Sequence, residues 1–497
     1  MRFLILLLFF ASGVTAQPLA VTNTFSNSTV ADADDINQNF TDIVDGVNAK
    51  LKTDNASPYN TAVGFETLYS NTTGSGNTAS GYKALYSNTM GSRNTASGYA
   101  ALYSNSDGDY NTATGYAALY FNTTGSGNTA SGFVALHNNT TGSYNIASGY
   151  GALHDNTSGR HNTASGFQAL YYSTTGHFNT ATGSLALYSN TTGGYNTASG
   201  YEALYRNTEG LQNTASGYQA LHQNTTGDNN AASGFQALYN TTTGFSNTAS
   251  GFRALYNNTT GRYNTASGFQ ALYENTAGNF NTATGLQTLY YNTEGDYNTA
   301  SGYLALSSNT MGSRNTAIGY YADVSSGNLT NATAIGFNAK VDSNNKVRIG
   351  NTNVTVIQGQ VAFTSSSDAR LKDSITPVSG GLALVNDLNP VSYHRTNNPE
   401  GDTEMGLLAQ EVEATLEKHG LGNSGMVHQP TEDSYMSLRY NDLLAPMIKA
   451  IQELDEKNQT LEAQLESQQE ELLAIVQSQQ EQIAQLQRMV EHQFAMN

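Results

Sequence analysis

The chain has 497 residues, more than one ordinary hydrophobic core holds, and it contains neither cysteine nor tryptophan. A disulfide framework, thiol chemistry and thiolate metal sites are therefore excluded. Only 12% of residues are charged, and the formal net charge is −18. That composition resembles a repetitive fibre more than an ordinary enzyme, and it argues against nucleic acid or an anionic membrane surface as partner, because both call for clustered Lys and Arg.

Residues 1–16 read as a secretory signal. Arg2 supplies the charge, Phe3 to Phe10 the apolar stretch, and Val14, Thr15 and Ala16 the small-residue cleavage site. The apolar run is too short to span a bilayer, and no later segment reads as a membrane span. The expectation is a secreted or cell-surface protein with no membrane span after signal removal. Residues 17–57 are polar, with Ile36, Phe40, Ile43, Val44 and Val47 at helical spacing, and predict a short helical segment.

Residues 58–345 form the repeat. The text Asn-Thr-Ala-Ser-Gly-Tyr-x-Ala-Leu-Tyr-x-Asn-Thr-Thr-Gly-x-x begins at Asn60, Asn77, Asn94 and so on to Asn315, sixteen starts at a constant spacing of 17. A constant period places every repeat alike in a stack. Gly in the Asn-Thr-Thr-Gly run signals a turn, and Thr, Tyr and Phe favour strands. Seventeen residues suit two short strands and two turns, one coil of a solenoid, and sixteen coils stacked as strands span roughly 75–80 Å. Apolar content per coil is low, as in Ala79, Tyr82, Ala84, Leu85 and Tyr86. It predicts three chains sharing one axis, with Ala and Leu inside and Tyr around them. Asn side chains stacked at one position can bond along the column. The many formal glycosylation sequons read as turn chemistry. Regular Thr also suggests ice binding, but Thr beside turn glycines and bulky Tyr between the faces speak against it.

The last coils, Thr316 to Val324 and Asn331 to Val341, resemble the head repeats of trimeric autotransporter adhesins, which implies parallel β-rolls wound as trimers. Residues 346–366 are a β-rich connector, with alternating β-branched residues from Val347 predicting one or two more strands.

Ser367 and Lys372 then stand five residues apart, in Ser367-Asp-Ala-Arg-Leu-Lys372. Serine needs a base to act as nucleophile, and lysine serves when burial or a nearby positive charge favours its neutral form. Arg370 could supply that charge, or could bind Asp368 instead. The same six residues also read as a polar helix start with Ser or Asp as cap. Asp368, Arg370, His394 and Glu411 could form a site, or serve as ion pairs and surface residues. Further on, the pattern predicts a helix ending before Pro390, a strand to His394, a helix from Gly406 to about Lys418, a strand over Tyr435 to Tyr440, and a final helix capped by Asn441.

The blocks Ser-Asp-x-Arg-x-Lys, Asn389 to Tyr393, Gly406 to Val412, Tyr435 to Leu438 and Ala450 to Leu454 together resemble the intramolecular chaperone domain of phage tail spikes, the peptidase S74 family. The resemblance covers about a fifth of the chain. It implies a domain, residues 367–449, that trimerises, helps the preceding fibre to wind, and then cuts itself off. It places the catalytic Ser-Lys dyad on Ser367 and Lys372 and the cut beside Ser367, with the Ser367–Asp368 bond favoured. Residues 450–497 form a coiled-coil candidate, with Leu454, Asn458, Leu461, Leu465, Gln468, Leu472, Ile475 and Gln479 in heptad steps, then Ile483, Leu486 and Val490 after a shift of register.

The fold class expected is mainly β: a repetitive parallel β-roll or solenoid, trimeric, followed by a small α+β domain and a coiled coil. The function expected is a secreted homotrimeric fibre or adhesin-like protein whose chaperone domain releases itself by single-turnover serine-peptidase chemistry. No cofactor or metal is expected. The partners expected are copies of the chain itself and a cell-surface glycan or protein receptor. An uncleaved fibre with a permanent C-terminal trimerisation domain is the alternative. A polysaccharide-degrading tail spike fits less well, because the repeat has no aperiodic insertion to hold paired carboxylates.

Overall fold

The computed structural model describes residues 59–360, 366–396, 399–429 and 435–495. The signal peptide and the helical segment expected over residues 1–57 lie outside the described residues. The chain divides into two compact units, one ending at Asn351 and one beginning at Thr352.

The first unit is a parallel β-solenoid. Its coils contribute three-residue strands at the period of the sequence, from β1 (Thr61–Val63) to β16 (Thr316–Ile318). Residue i pairs with residue i+17, as in Thr95 with Thr112 and Ala96 with Ala113. Strands β18 (Thr333–Ile335) and β20 (Val347–Ile349) complete an 18-stranded sheet.

Two strands per coil are expected from the period, but the regular coils have one. The opposite side runs through residues in the left-handed region, such as Lys83 (φ 53°) and Leu85 (φ 51°), and the pattern recurs coil after coil. Their amides still bond between coils: Lys83 N–H reaches Phe65 O at 2.9 Å and Leu85 N–H reaches Ala101 O at 3.0 Å. Only the last coils add second strands, β17 (Asp323–Val324) and β19 (Lys340–Val341), which pair in parallel.

This local geometry overturns the expectation that three chains are needed to close a dry core. Ala79, Ala84 and Leu85 are at most 1% exposed within a single chain, and their equivalents repeat along the solenoid. The left-handed residues fold each coil so tightly that two alanines and one leucine fill its section. A left-handed leucine costs roughly 1–2 kcal/mol. Burying its side chain contributes about 1.5–3 kcal/mol, which offsets that strain.

Two asparagine columns run beside the core. In the first, Asn77 Oδ1 accepts the Asn94 N–H at 2.9 Å, and Asn77 Nδ2 donates to Gly91 O at 2.8 Å. In the second, Asn105 Nδ2 donates to Asn88 Oδ1 at 2.8 Å and to Gly108 O at 3.0 Å. Most Asn-Thr-Thr and Asn-Thr-Ser asparagines, such as Asn122 and Asn139, belong to this second column. Asn122 and Asn139 are fully buried and bonded, as turn chemistry requires. The column breaks where Ser173 and Thr241 replace Asn. There Asn156 Oδ1, Ser173 Oγ, Asn224 Oδ1 and Thr241 Oγ1 are buried without a hydrogen-bond partner. Outside the core, aromatic side chains stack coil on coil, as in Tyr82 on Tyr99 at 4.9 Å and Tyr86 on Tyr103 at 5.0 Å.

The second unit comprises α1 (Leu382–Asp387), β21 (Val391–Tyr393) antiparallel to β22 (Glu404–Gly406), α2 (Ala409–Lys418), β23 (Val427–His428) antiparallel to β24 (Ser437–Leu438), and the 52-residue α3 (Leu444–Ala495). Its small core gathers Leu384, Val412, Leu416, Met426 and Leu443. In the connector, β20 is the one strand formed among the described residues. Val354, Val356 and Ile357 are exposed and unpaired as strands, because an extended segment needs a neighbour to bond.

Two stability predictions follow from the columns. Gly217 has φ +134°, and a Cβ there would meet the Gly234 carbonyl. Gly217→Ala should therefore destabilise by at least about 1–3 kcal/mol in chemical denaturation. Ser216→Ala, on the exposed side of the same strand, should stay within about 0.5 kcal/mol. Ser173→Asn and Thr241→Asn should each raise the melting temperature, since restoring a satisfied amide returns about 1–3 kcal/mol.

Candidate functional site

The dyad is assembled by one short turn. Asp368 has extended backbone (φ −64°, ψ 134°), and its carboxylate accepts the Arg370 N–H at 2.9 Å. That bond caps a single 3₁₀ turn, Ala369–Leu371, which Lys372 closes by donating its N–H to Ala369 O at 3.1 Å. The turn brings the two ends together: Lys372 Nζ donates to Ser367 Oγ at 2.8 Å. The capped helix start and the hydroxyl–amine pair, alternatives in the sequence, thus occur together.

Arg370 closes a fork on Asp368, with Nε 3.1 Å from both carboxylate oxygens and Nη2 2.6 Å from Oδ2. The Arg370 guanidinium, and after it the Arg370 N–H, holds the Asp368 carboxyl below the usual carboxylate range. Arg370 is therefore engaged by its neighbour in the turn. Ser367, Asp368, Arg370 and Lys372 are all exposed on the single chain.

The other candidate residues stand apart from the dyad. His394 Nδ1 lies 3.1 Å from Gly401 O, and Glu411 accepts from Asn389 Nδ2 at 3.1 Å. Among the described residues no hydrogen bond joins either to Ser367 or Lys372.

Residues 367–421 match the Peptidase_S74 family, the chaperone of endosialidase. The match opens on Ser367 itself and takes in α1, the β21–β22 hairpin and α2. No curated protein matches the chain. A chaperone-of-endosialidase domain behind a β-solenoid fits a tail-fibre-like or spike-like protein. Among the described residues no helix is long and apolar enough to cross a membrane.

Two further residues tie the chaperone domain to α3, and their roles are not visible in the spacing. Gly381 precedes α1 and has no side chain with which to cap it. Glu453, on α3, supplies the cap by accepting the Leu382 N–H at 2.7 Å. Tyr440 Oη accepts the Leu407 N–H at 2.9 Å, holding the segment between β22 and α2 against the start of α3. The one sequence signal for them is that they lie in or beside the last two recognised blocks. Glu453→Ala should lower the stability of the chaperone domain by about 0.5–2 kcal/mol, the cost of a lost helix cap. It should also release protection of the Leu382 amide in hydrogen exchange, whereas Lys457→Ala, one turn later on the exposed side of α3, should leave that amide protected.

Proposed function

We propose that this chain is a secreted, homotrimeric fibre whose chaperone domain joins three chains through α3 and then releases itself by chemistry at Ser367 and Lys372. The observation that carries the reading is the 2.8 Å contact between Lys372 Nζ and Ser367 Oγ at the first residue of the family match. It stands in the stretch that follows the solenoid, where a cut separates fibre from chaperone.

Assembly is supported by the apolar stripe of α3. Leu454, Leu461, Leu465, Leu472 and Ile475 are each 46–61% exposed on the single chain, at the heptad spacing that seats knobs in a partner helix. A surface stripe of this length calls for cover, and Asn458 within it can fix register and chain number. The exposed β-branched residues of the connector add a second surface for neighbouring chains to bury.

The chemistry follows from the dyad. Neutral Lys372 takes the Ser367 hydroxyl proton as Oγ attacks a carbonyl carbon, the amide C–N bond breaks, and the departing amine takes the proton back from Lys372. Water then hydrolyses the ester and frees the serine. A neutral lysine requires burial or an unpaired cation beside it. Arg370 is taken up by Asp368 and the dyad is exposed, so the missing burial comes from the neighbouring chains. Cleavage in this reading follows assembly, and each chain turns over once.

The test is a denaturing gel with intact mass on the full chain, beside Ser367→Ala, Lys372→Ala and the double variant Leu465→Asp/Leu472→Asp. The parent should split beside Ser367. Both dyad variants should stay whole and trimeric, and the α3 variant should stay whole as a monomer. A trimeric parent that remains uncut would make the domain a permanent part of the fibre. A monomer that cuts itself would sink the link between assembly and cleavage.

A further inference from the structure

The solenoid carries two aromatic columns, and they differ in a way that water alone does not explain. The inner column runs from Tyr69 to Tyr290 at the 17-residue period, and every position in it is Tyr or His. Past Tyr69 its rings are half-buried or buried. The outer column runs from Phe65 to Phe337, and its apolar side chains are 37–63% exposed on the single chain. Here Phe takes seven of the seventeen positions, and Ser184 and Leu286 are the other departures from Tyr. The column nearer to water is thus the one that discards its hydroxyls. A ring that meets only solvent gains from a polar tip, and Phe in its place suits an apolar neighbour.

The charges beside the outer column are already engaged. At the next residue along the chain only Glu66, Lys83, Glu202 and Arg253 are charged. Lys83 Nζ stands 3.2 Å from Glu66, Gln219 donates to Glu202 at 2.7 Å, and Arg253 donates to Gln236 at 2.8 Å. On the other side, the last residue of each strand from β1 to β16 is uncharged. The result is an apolar stripe without a free charge at its borders.

The size of the stripe selects its occupant. Neighbouring rings stack at 4.9–5.6 Å, tilted by no more than 18°. Fifteen rings about half exposed offer roughly 1,100–1,900 Å², along roughly 75–80 Å of solenoid. A stable interface takes about 800 Å² from each partner, and a patch this large on one surface marks a contact. A compact protein covers a fraction of that length. A second solenoid, parallel and in register, meets every ring. A sugar chain is the weaker match, because sugar rings seat on aromatic faces and stacking covers those faces.

Cleavage adds a requirement. The α3 stripe lies after Ser367 and departs with the released domain, while each coil closes its own core. A fibre that stays trimeric then needs a seam of its own. We propose that the outer aromatic column, Phe65 to Phe337, is the seam along which the three solenoids of the fibre pack, parallel and in register. The inference rests on the homotrimeric reading above and names the surface that holds the chains once α3 has gone.

The chain has no cysteine, so single thiols report the seam. Ser184→Cys changes one atom within the column, and Phe235→Cys places a thiol three coils further on. Thr226→Cys stands at an exposed turn position outside the column. Each full chain is treated with a short bis-maleimide and run on a denaturing gel, with the native mass read by sedimentation. Ser184→Cys and Phe235→Cys should join chain to chain, and Thr226→Cys several-fold less. A trimer in which neither Ser184→Cys nor Phe235→Cys joins overturns the seam and leaves the homotrimer standing. Equal joining at Thr226→Cys also overturns the seam. A monomeric parent overturns the homotrimer itself, and the seam with it.

Discussion

Each coil of the solenoid finds its hydrogen-bond partners in the coils 17 residues before and after it, and the architecture of the first unit rests on that closure. Backbone amides bond between coils even where the chain is left-handed, and the buried Asn77 and Asn105 amides are satisfied by neighbours at the same offset. A buried amide without a partner costs about 1–3 kcal/mol by mutational measure. One inserted residue in a coil would displace both asparagine columns, the alanine column and the glycine column together. Through Asn315 the constant period is thus a physical requirement, and most variation falls at outward positions. Ser173 and Thr241 show the tolerance of the system: each forfeits bonds in one column while the backbone ladder around it persists.

Closure within one chain changes where assembly must originate. Ala79, Ala84 and Leu85 are dry without any neighbour, so the solenoid does not need a trimer to bury its core. Contacts between successive coils are local in sequence, and such a stack can nucleate at any coil and propagate. Apolar side chains without cover lie on the outside of the solenoid, on the α3 stripe and at Val354, Val356 and Ile357. A chaperone domain in this setting has the ends of chains to align more than the coils to wind.

The period, the parallel stacking and the asparagine ladder were legible because they depend on spacing alone. The single strand per coil was not. It depends on Lys83 and Leu85 adopting positive φ, and nothing in a leucine side chain announces a left-handed backbone. The same blind spot produced the expectation of a shared core, since apolar content per coil was weighed without knowing how small a section the coil encloses. At the dyad, the spacing of Ser367 and Lys372 and the capping ability of Asp368 were both readable, and a single 3₁₀ turn serves both. The pairing of Arg370 with Asp368 was one of two options, and only geometry chose between them. Glu453 lies 71 residues from the amide it caps, a separation that no local pattern encodes.

Ring size links the position of the cut to the number of chains involved. Ser367 Oγ reaches the carbonyl of residue 366 through a five-membered ring, so the bond before Ser367 is open to attack within one chain. Its own carbonyl lies across a four-membered ring, whose angle strain far exceeds what a turn of this kind can impose. A cut between Ser367 and Asp368 therefore draws its nucleophile from outside that residue: the serine of a second chain, or water held against Lys372. Either route needs a wall that excludes bulk solvent, and on the single chain Ser367 and Lys372 have none. The Ser367–Asp368 bond favoured from the sequence is thus the one whose chemistry most requires neighbouring chains, and under the proposed function a cut there would report completed assembly.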